Sequence, residues 1–116
     1  MSFPYGPREG SWAWRFERKA EQFFGLRHVI ACNSGTMALQ AGLYASGLKQ
    51  GSEIVTSPYT FSATPAAILH AGMHPVFADV EPDTFCLNPA SAKSAGYDAV
   101  MPVDLFGRMA ARPALS

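Results

Sequence analysis

Three short apolar runs, each closed by turn residues and separated from the next by a helix-length interval, constrain the fold of this chain most strongly. They are Glu53-Ile54-Val55-Thr56-Ser57, Pro75-Val76-Phe77-Ala78-Asp79-Val80 and Asp98-Ala99-Val100-Met101-Pro102-Val103; a fourth run, His28-Val29-Ile30-Ala31-Cys32, precedes them. Read as strands, they alternate with helices in the order α-β-α-β-α-β-x-β. Parallel strands need long crossovers between them, so alternation of this kind predicts a mostly parallel sheet flanked by helices, an α/β fold. Ligands of such sheets bind at the carboxyl ends of the strands. The loops 33–36, 58–61 and 104–107 are therefore expected to converge.

The helical segments carry their own punctuation. Ser11 is placed to cap a helix that runs to Phe24, and Gly25 to end it. On that helix Phe16, Ala20, Phe23 and Phe24 share one face, while Arg15, Glu17, Arg18, Lys19 and Glu21 cover much of the rest. A second helix, 36–48, has almost no polar side beyond Gln40 and Ser46 and should be covered on most faces. A third, 62–71, tolerates Pro65 in its first turn and stops at Gly72. The stretch 81–96 holds a Pro-Asp turn and at most a short helix. Residues 1–10 read as a loose lead-in.

The bulk composition narrows the class. The 116 residues suffice for one core, and 48% hydrophobic against 16% charged residues describes a globular chain rather than a disordered one. Nine basic residues balance nine acidic ones, with no basic run, which argues against nucleic acid or an anionic membrane as main partner. No window approaches the ~18 apolar residues of a membrane span, and residues 1–10 lack a secretory apolar stretch. Cys32 and Cys86 lack metal-type spacing; Cys32, inside an apolar strand, is expected to be buried, and a reducing cytoplasm fits best.

Between the first apolar run and the second helix stands Asn33-Ser34-Gly35-Thr36. A small hydroxyl-bearing turn entering a helix offers N–H groups, hydroxyls and a positive dipole end to an anion such as phosphate. An ordinary turn capped by Thr36 explains the same residues. The turn is neither a Walker loop nor a dinucleotide fingerprint. Tyr59-Thr60-Phe61 leaves the end of another strand; an aromatic there can lie on a planar, electron-poor ring, or simply fill space. His28, His70 and His74 have no metal-ligand spacing and read as structural or exposed. Asp79 and Asp104 end strands and suit turns or caps as well as a ligand crevice. None of the three lysines, Lys19, Lys49 and Lys93, lies at a strand end.

Taken in order, Phe16-Glu17, Asn33-Ser34-Gly35-Thr36-Met37-Ala38-Leu39, Gly51-Ser52-Glu53-Ile54-Val55, Pro58-Tyr59-Thr60-Phe61-Ser62-Ala63-Thr64, Gly72 to Val80, Asp83-Thr84-Phe85 and Pro102-Val103-Asp104-Leu105-Phe106-Gly107 are specific in combination. Over about residues 11–108 the chain resembles the N-terminal part of the DegT/DnrJ/EryC1/StrS family of pyridoxal-phosphate-dependent sugar aminotransferases. The resemblance implies the N-terminal part of a fold type I transferase major domain, incomplete at 116 residues. It implies that Gly35 and Thr36, with Ser34 beside them, hold the phosphate of pyridoxal phosphate, and that Phe61 stacks on its pyridine ring. It further implies transfer of an amino group, often from glutamate, to a nucleotide-linked keto sugar by a homodimeric enzyme.

Two departures accompany the resemblance. The family often has His where this chain has Asp104. The family's Schiff-base lysine lies beyond the segment resembled, so no catalytic residue is assigned and the 116-residue chain is expected not to transaminate alone. A sugar dehydratase of the same family and a non-catalytic interaction module are the rival readings. Exposed apolar surface is expected where helix 36–48 lacks partners.

Overall fold

The computed structural model describes residues 6–111, and the chain divides into two compact units, Met1–Ser34 and Gly35–Ser116. Most of the lead-in, residues 1–5, and the tail beyond residue 111 lie outside the described residues.

The first unit is built on helix α1, Trp12–Phe24. Ser11 caps it as expected: its Oγ accepts the Trp14 N–H at 3.3 Å. At the other end Gly25 adopts φ 65°, a left-handed conformation that costs glycine little, and its N–H returns to the Glu21 carbonyl. The apolar face is not the buried one. Phe16, Phe23 and Phe24 are exposed, and the buried residue of α1 is Glu17, at 5% exposure.

The reason lies in the segment that follows. Residues 28–32 form no strand, because no partner strand stands beside them among the described residues. Two of their N–H groups find acceptors on α1 instead: Val29 donates to Glu21 Oε1 at 3.1 Å and Ala31 to Glu17 Oε1 at 2.8 Å. Without a ladder the run is not enclosed, so Ile30 and Cys32 are exposed, against the expectation that Cys32 is buried.

The second unit is the α/β layer structure. Strands β1 (Glu53–Thr56), β2 (His74–Phe77) and β3 (Ala99–Val100) form a sheet in the order β2-β1-β3, parallel throughout. Between Gly35 and β1 runs helix α2, Gly35–Ala45; helices α3 (Ala63–His70) and α4 (Pro89–Ala95) make the crossovers. Alternation along β1 sorts the layers. Ile54 points to one face, into a core of Leu43 from α2, Ala67, Ile68 and Ala71 from α3 and its end, and Met73. Val55 points to the other, packing with Ala78, Leu87 and Ala92 of α4. Central β1 is thus buried on both sides, as a parallel strand requires. Its Thr56 is fully enclosed, and its hydroxyl donates to the Met101 carbonyl at 2.8 Å, so no polar atom is stranded.

Strands β2 and β3 are shorter than the apolar runs that carry them. Val80 leaves the sheet to make an antiparallel bridge with Leu87, and after Val100 only the Met101 N–H continues the ladder, to the Val55 carbonyl at 2.8 Å. Helix α2 stops at Ala45, and Leu43 is its one fully buried residue; Met37 and Tyr44 are exposed. Only its stripe toward α3 and the sheet is covered, which corrects the expectation of burial on most faces and agrees with the expected exposure of apolar surface.

Candidate cofactor site

The carboxyl edge of the sheet gathers the chemistry. The loop leaving β1 is fixed by its own short-range bonds. Ser57 Oγ accepts the Tyr59 N–H at 2.9 Å, the hydroxyls of Thr60 and Thr64 meet at 3.0 Å, and the Phe61 carbonyl accepts the Thr64 N–H at 3.0 Å. With the backbone held in this way, the Phe61 side chain projects outward, 78% exposed. A rigid stem carrying an uncovered ring face is what stacking on a planar ligand needs.

Helices α2 and α3 run in the same sense. Tyr44 Oη donates to the His70 carbonyl at 2.9 Å and Gln40 Nε2 meets His70 Nδ1 at 2.9 Å, so the later turns of both helices lie together. Their first residues, Gly35 and Ala63, therefore open toward the same end, that of the β1 carboxyl edge. Within α2, Gly35 and Thr36 occupy the first turn, whose N–H groups have no carbonyl partner in the helix. The first turn carries no acidic side chain that would oppose an anion. Gly35 is exposed, and a Cβ built on it would meet nothing within 4 Å. Thr36 is half-buried and presents a hydroxyl from the same turn. Ser34 is the last residue of the first unit and is exposed.

These residues fit a phosphorylated, planar aromatic cofactor. An open helix N-terminus suits the phosphate, and an uncovered phenyl face in the same unit suits the ring. The other sequence candidates have structural employment. Asp79 Oδ1 accepts the N–H of Val80, and Asp104 Oδ1 accepts that of Ala110 at 2.9 Å, which pins the loop after β3. His70 is bonded to Gln40.

Of the three loops 33–36, 58–61 and 104–107 expected to converge, the ring contacts join 58–61 and 104–107, and a residue of another segment, Phe85, completes the group. Tyr59, Phe106 and Phe85 form an aromatic triad with ring centroids 5.7 to 6.5 Å apart. Phe85 and Phe106 both hold positive φ, 59° and 51°, a conformation rare for bulky residues and costing about 1–3 kcal/mol each. Asp83-Thr84-Phe85 and Phe106-Gly107 stood in the motif series, yet nothing local signals a left-handed phenylalanine.

Comparison with known proteins bears on the whole chain. The model of the DegT/DnrJ/EryC1/StrS aminotransferase family matches residues 7–116. The spore coat polysaccharide biosynthesis protein SpsC of Bacillus subtilis is 40% identical over 97 residues, which are 81% of this chain and 25% of that protein. Among solved structures, NtdA from Bacillus subtilis with bound cofactor PMP superposes with a TM-score of 0.84 at 34% identity, over 91% of this chain and 25% of that one. DesI in the presence of its TDP-sugar product gives 0.78 at 37% identity, over 89% and 26%. The chain spans about a quarter of the length of these relatives. With the family model matching almost end to end and the α/β architecture shared with these neighbours, the chain belongs to the DegT/DnrJ/EryC1/StrS aminotransferase family.

Proposed function

We propose that this chain supplies the phosphate and ring contacts of a pyridoxal phosphate site in an enzyme that moves an amino group, with glutamate as donor, onto a nucleotide-linked keto sugar. The observation that carries the reading is the open N-terminus of α2 at Gly35, in a chain whose family is one of aminotransferases. When bound, the cofactor supplies an electron sink for chemistry at the carbon bearing nitrogen. The residues of this chain hold it. The Gly35 and Thr36 N–H groups and the Thr36 hydroxyl donate to phosphate oxygens, and the α2 dipole adds to their pull. Ser34 stands next in sequence as a further hydroxyl donor. Phe61 offers its face to the pyridine ring and fixes its plane. Lys19 lies on α1, Lys93 on α4 and Lys49 before β1, so covalent attachment of the cofactor is assigned to none of them.

The same reading makes the unit part of a transferase major domain that works as a cytoplasmic homodimer. Exposed Met37, Tyr44, Phe77 and Phe106 are the kind of apolar surface that such an assembly covers. No helix among the described residues is long and apolar enough to cross a membrane.

Pyridoxamine phosphate is the probe of choice, because it carries no aldehyde to react with surface lysines. A ligand that binds only the folded state stabilises it by about 2.7 kcal/mol at a hundredfold excess over Kd. The chain should therefore melt at higher temperature with pyridoxamine phosphate, and Phe61→Ala should weaken binding roughly 2- to 10-fold, the value of one aromatic pair. Absence of any shift at millimolar ligand would overturn the assignment.

A further inference from the structure

Helix α3 encloses one polar side chain on a face that is otherwise apolar. Thr64, Ala67 and Ile68 stand at i, i+3 and i+4 and make up the buried face of the helix. Thr64 is 6% exposed. Valine has nearly the same shape and would avoid the cost of desolvating a hydroxyl. What the hydroxyl adds is its partner: it meets the Thr60 hydroxyl at 3.0 Å. A threonine inside a helix often turns its hydroxyl to the carbonyl four residues back. Thr64 reaches the side chain of that residue, which lies outside the helix and directly before Phe61.

The Thr64 backbone supplies a second hold, since its N–H donates to the Phe61 carbonyl at 3.0 Å. One buried residue thus grips the chain on both sides of the Phe61 Cα. The usual cap does not share the task. Ser62, at the N-cap position of α3, has αR backbone angles and makes no side-chain capping bond. At the β1 end of the loop Ser57, itself buried, accepts the Tyr59 N–H at 2.9 Å. The loop is therefore tied to an enclosed hydroxyl at each end, and the exposed Phe61 ring is carried between them. With the backbone fixed, only a few staggered orientations of the ring remain.

We propose that Thr64 is a positioning residue for the cofactor ring, acting through Phe61, whose backbone it fixes from both sides. The proposal rests on the reading of Phe61 as the stacking residue. Its test is a double-mutant cycle on the chain with Thr64→Val, which removes the hydroxyl, and Phe61→Ala, which removes the ring. Thr64→Ser restores the hydroxyl. Affinity for pyridoxamine phosphate is measured by calorimetric titration, with inorganic phosphate as the probe that has no ring. At saturating pyridoxamine phosphate, circular dichroism in the absorption band of the bound pyridine reports how firmly its orientation is held, independently of affinity.

The expected loss for T64V is about 2- to 5-fold in pyridoxamine phosphate affinity, no larger than that for F61A. The induced dichroism should fall by about half or more, T64S should recover both, and affinity for inorganic phosphate should change less than about twofold. In the F61A chain, T64V should cost nothing further, because the ring through which it acts is gone. Should T64V not fold, Thr60→Val removes the same bond from its half-buried partner and decides the matter. A T64V chain with wild-type dichroism, or one whose loss is the same with and without Phe61, would reduce Thr64 to a structural residue and overturn the proposal alone. An F61A chain with unaltered affinity and dichroism would overturn the stacking reading itself, and the positioning role with it.

Discussion

Gly35→Ala separates the stability of this fold from its proposed ligand chemistry, because the two should move in opposite directions. Gly35 begins α2 in ordinary helical conformation, with no positive φ, and a Cβ there meets nothing within 4 Å. Alanine should thus fit without strain and restrict the unfolded chain, a gain of about 0.4–1 kcal/mol. For a domain of this size that raises the melting temperature by roughly 2–8 °C. On the proposed reading, the same methyl stands in the way of a phosphate oxygen reaching the first-turn N–H groups. Losing one hydrogen bond to a charged group costs about 1.5–3 kcal/mol, or roughly 10- to 150-fold in Kd. The assay is a pair of measurements on one preparation: thermal unfolding without ligand, and titration with pyridoxamine phosphate. A variant that melts higher and binds more weakly supports the site. A variant that binds as tightly as the wild type refutes the placement of phosphate at this turn, and one that melts lower refutes the openness of the turn.

Other predictions concern the interior of each unit separately. Thr56→Val keeps the shape of a fully buried side chain but leaves the Met101 carbonyl without its 2.8 Å donor; urea unfolding should show a loss of about 1–3 kcal/mol, and Thr56→Ser, which retains the hydroxyl, should lose less. Ser11→Ala removes the acceptor for the Trp14 N–H and should cost α1 about 1 kcal/mol, visible as faster amide exchange in its first turn, while Ser11→Asp should retain protection.

The parts legible in the sequence are those encoded locally. Ser11 and Gly25 bracket α1 by cap chemistry that needs only neighbouring residues, and the structure places both as expected. Ile54 and Val55 announce a doubly covered strand through their own apolarity. The start of α2 at Gly35 and the turn carrying Phe61 between β1 and α3 follow from the same local punctuation. What escaped depends on residues distant in sequence. Glu17 is polar on a helical wheel and is buried only because Ala31, fourteen positions on, brings it a donor. The 28–32 run is as apolar as a strand, but a strand needs a neighbour, and none is present among the described residues. The lengths of β2 and β3 follow from pairing register, since β3 matches only Ile54 and Val55. The left-handed Phe85 and Phe106 are held by each other and by Tyr59, a three-body arrangement that no single stretch of chain expresses.

The sheet order β2-β1-β3 also orders events on the ribosome. Its central strand is the first of the three to be synthesised. Its pairing with β2 joins Glu53 to His74, whereas pairing with β3 joins Ile54 to Ala99, across 45 residues. At about 5–20 residues per second, roughly 2–9 s pass between the appearance of the centre and that of its second neighbour. During that interval α3 can already cover the Ile54 side, while the Val55 side still waits for Ala92. The chain thus grows from the middle of its sheet outward, with one face closed and the other open. That open face is the surface a nascent-chain chaperone would have to shield.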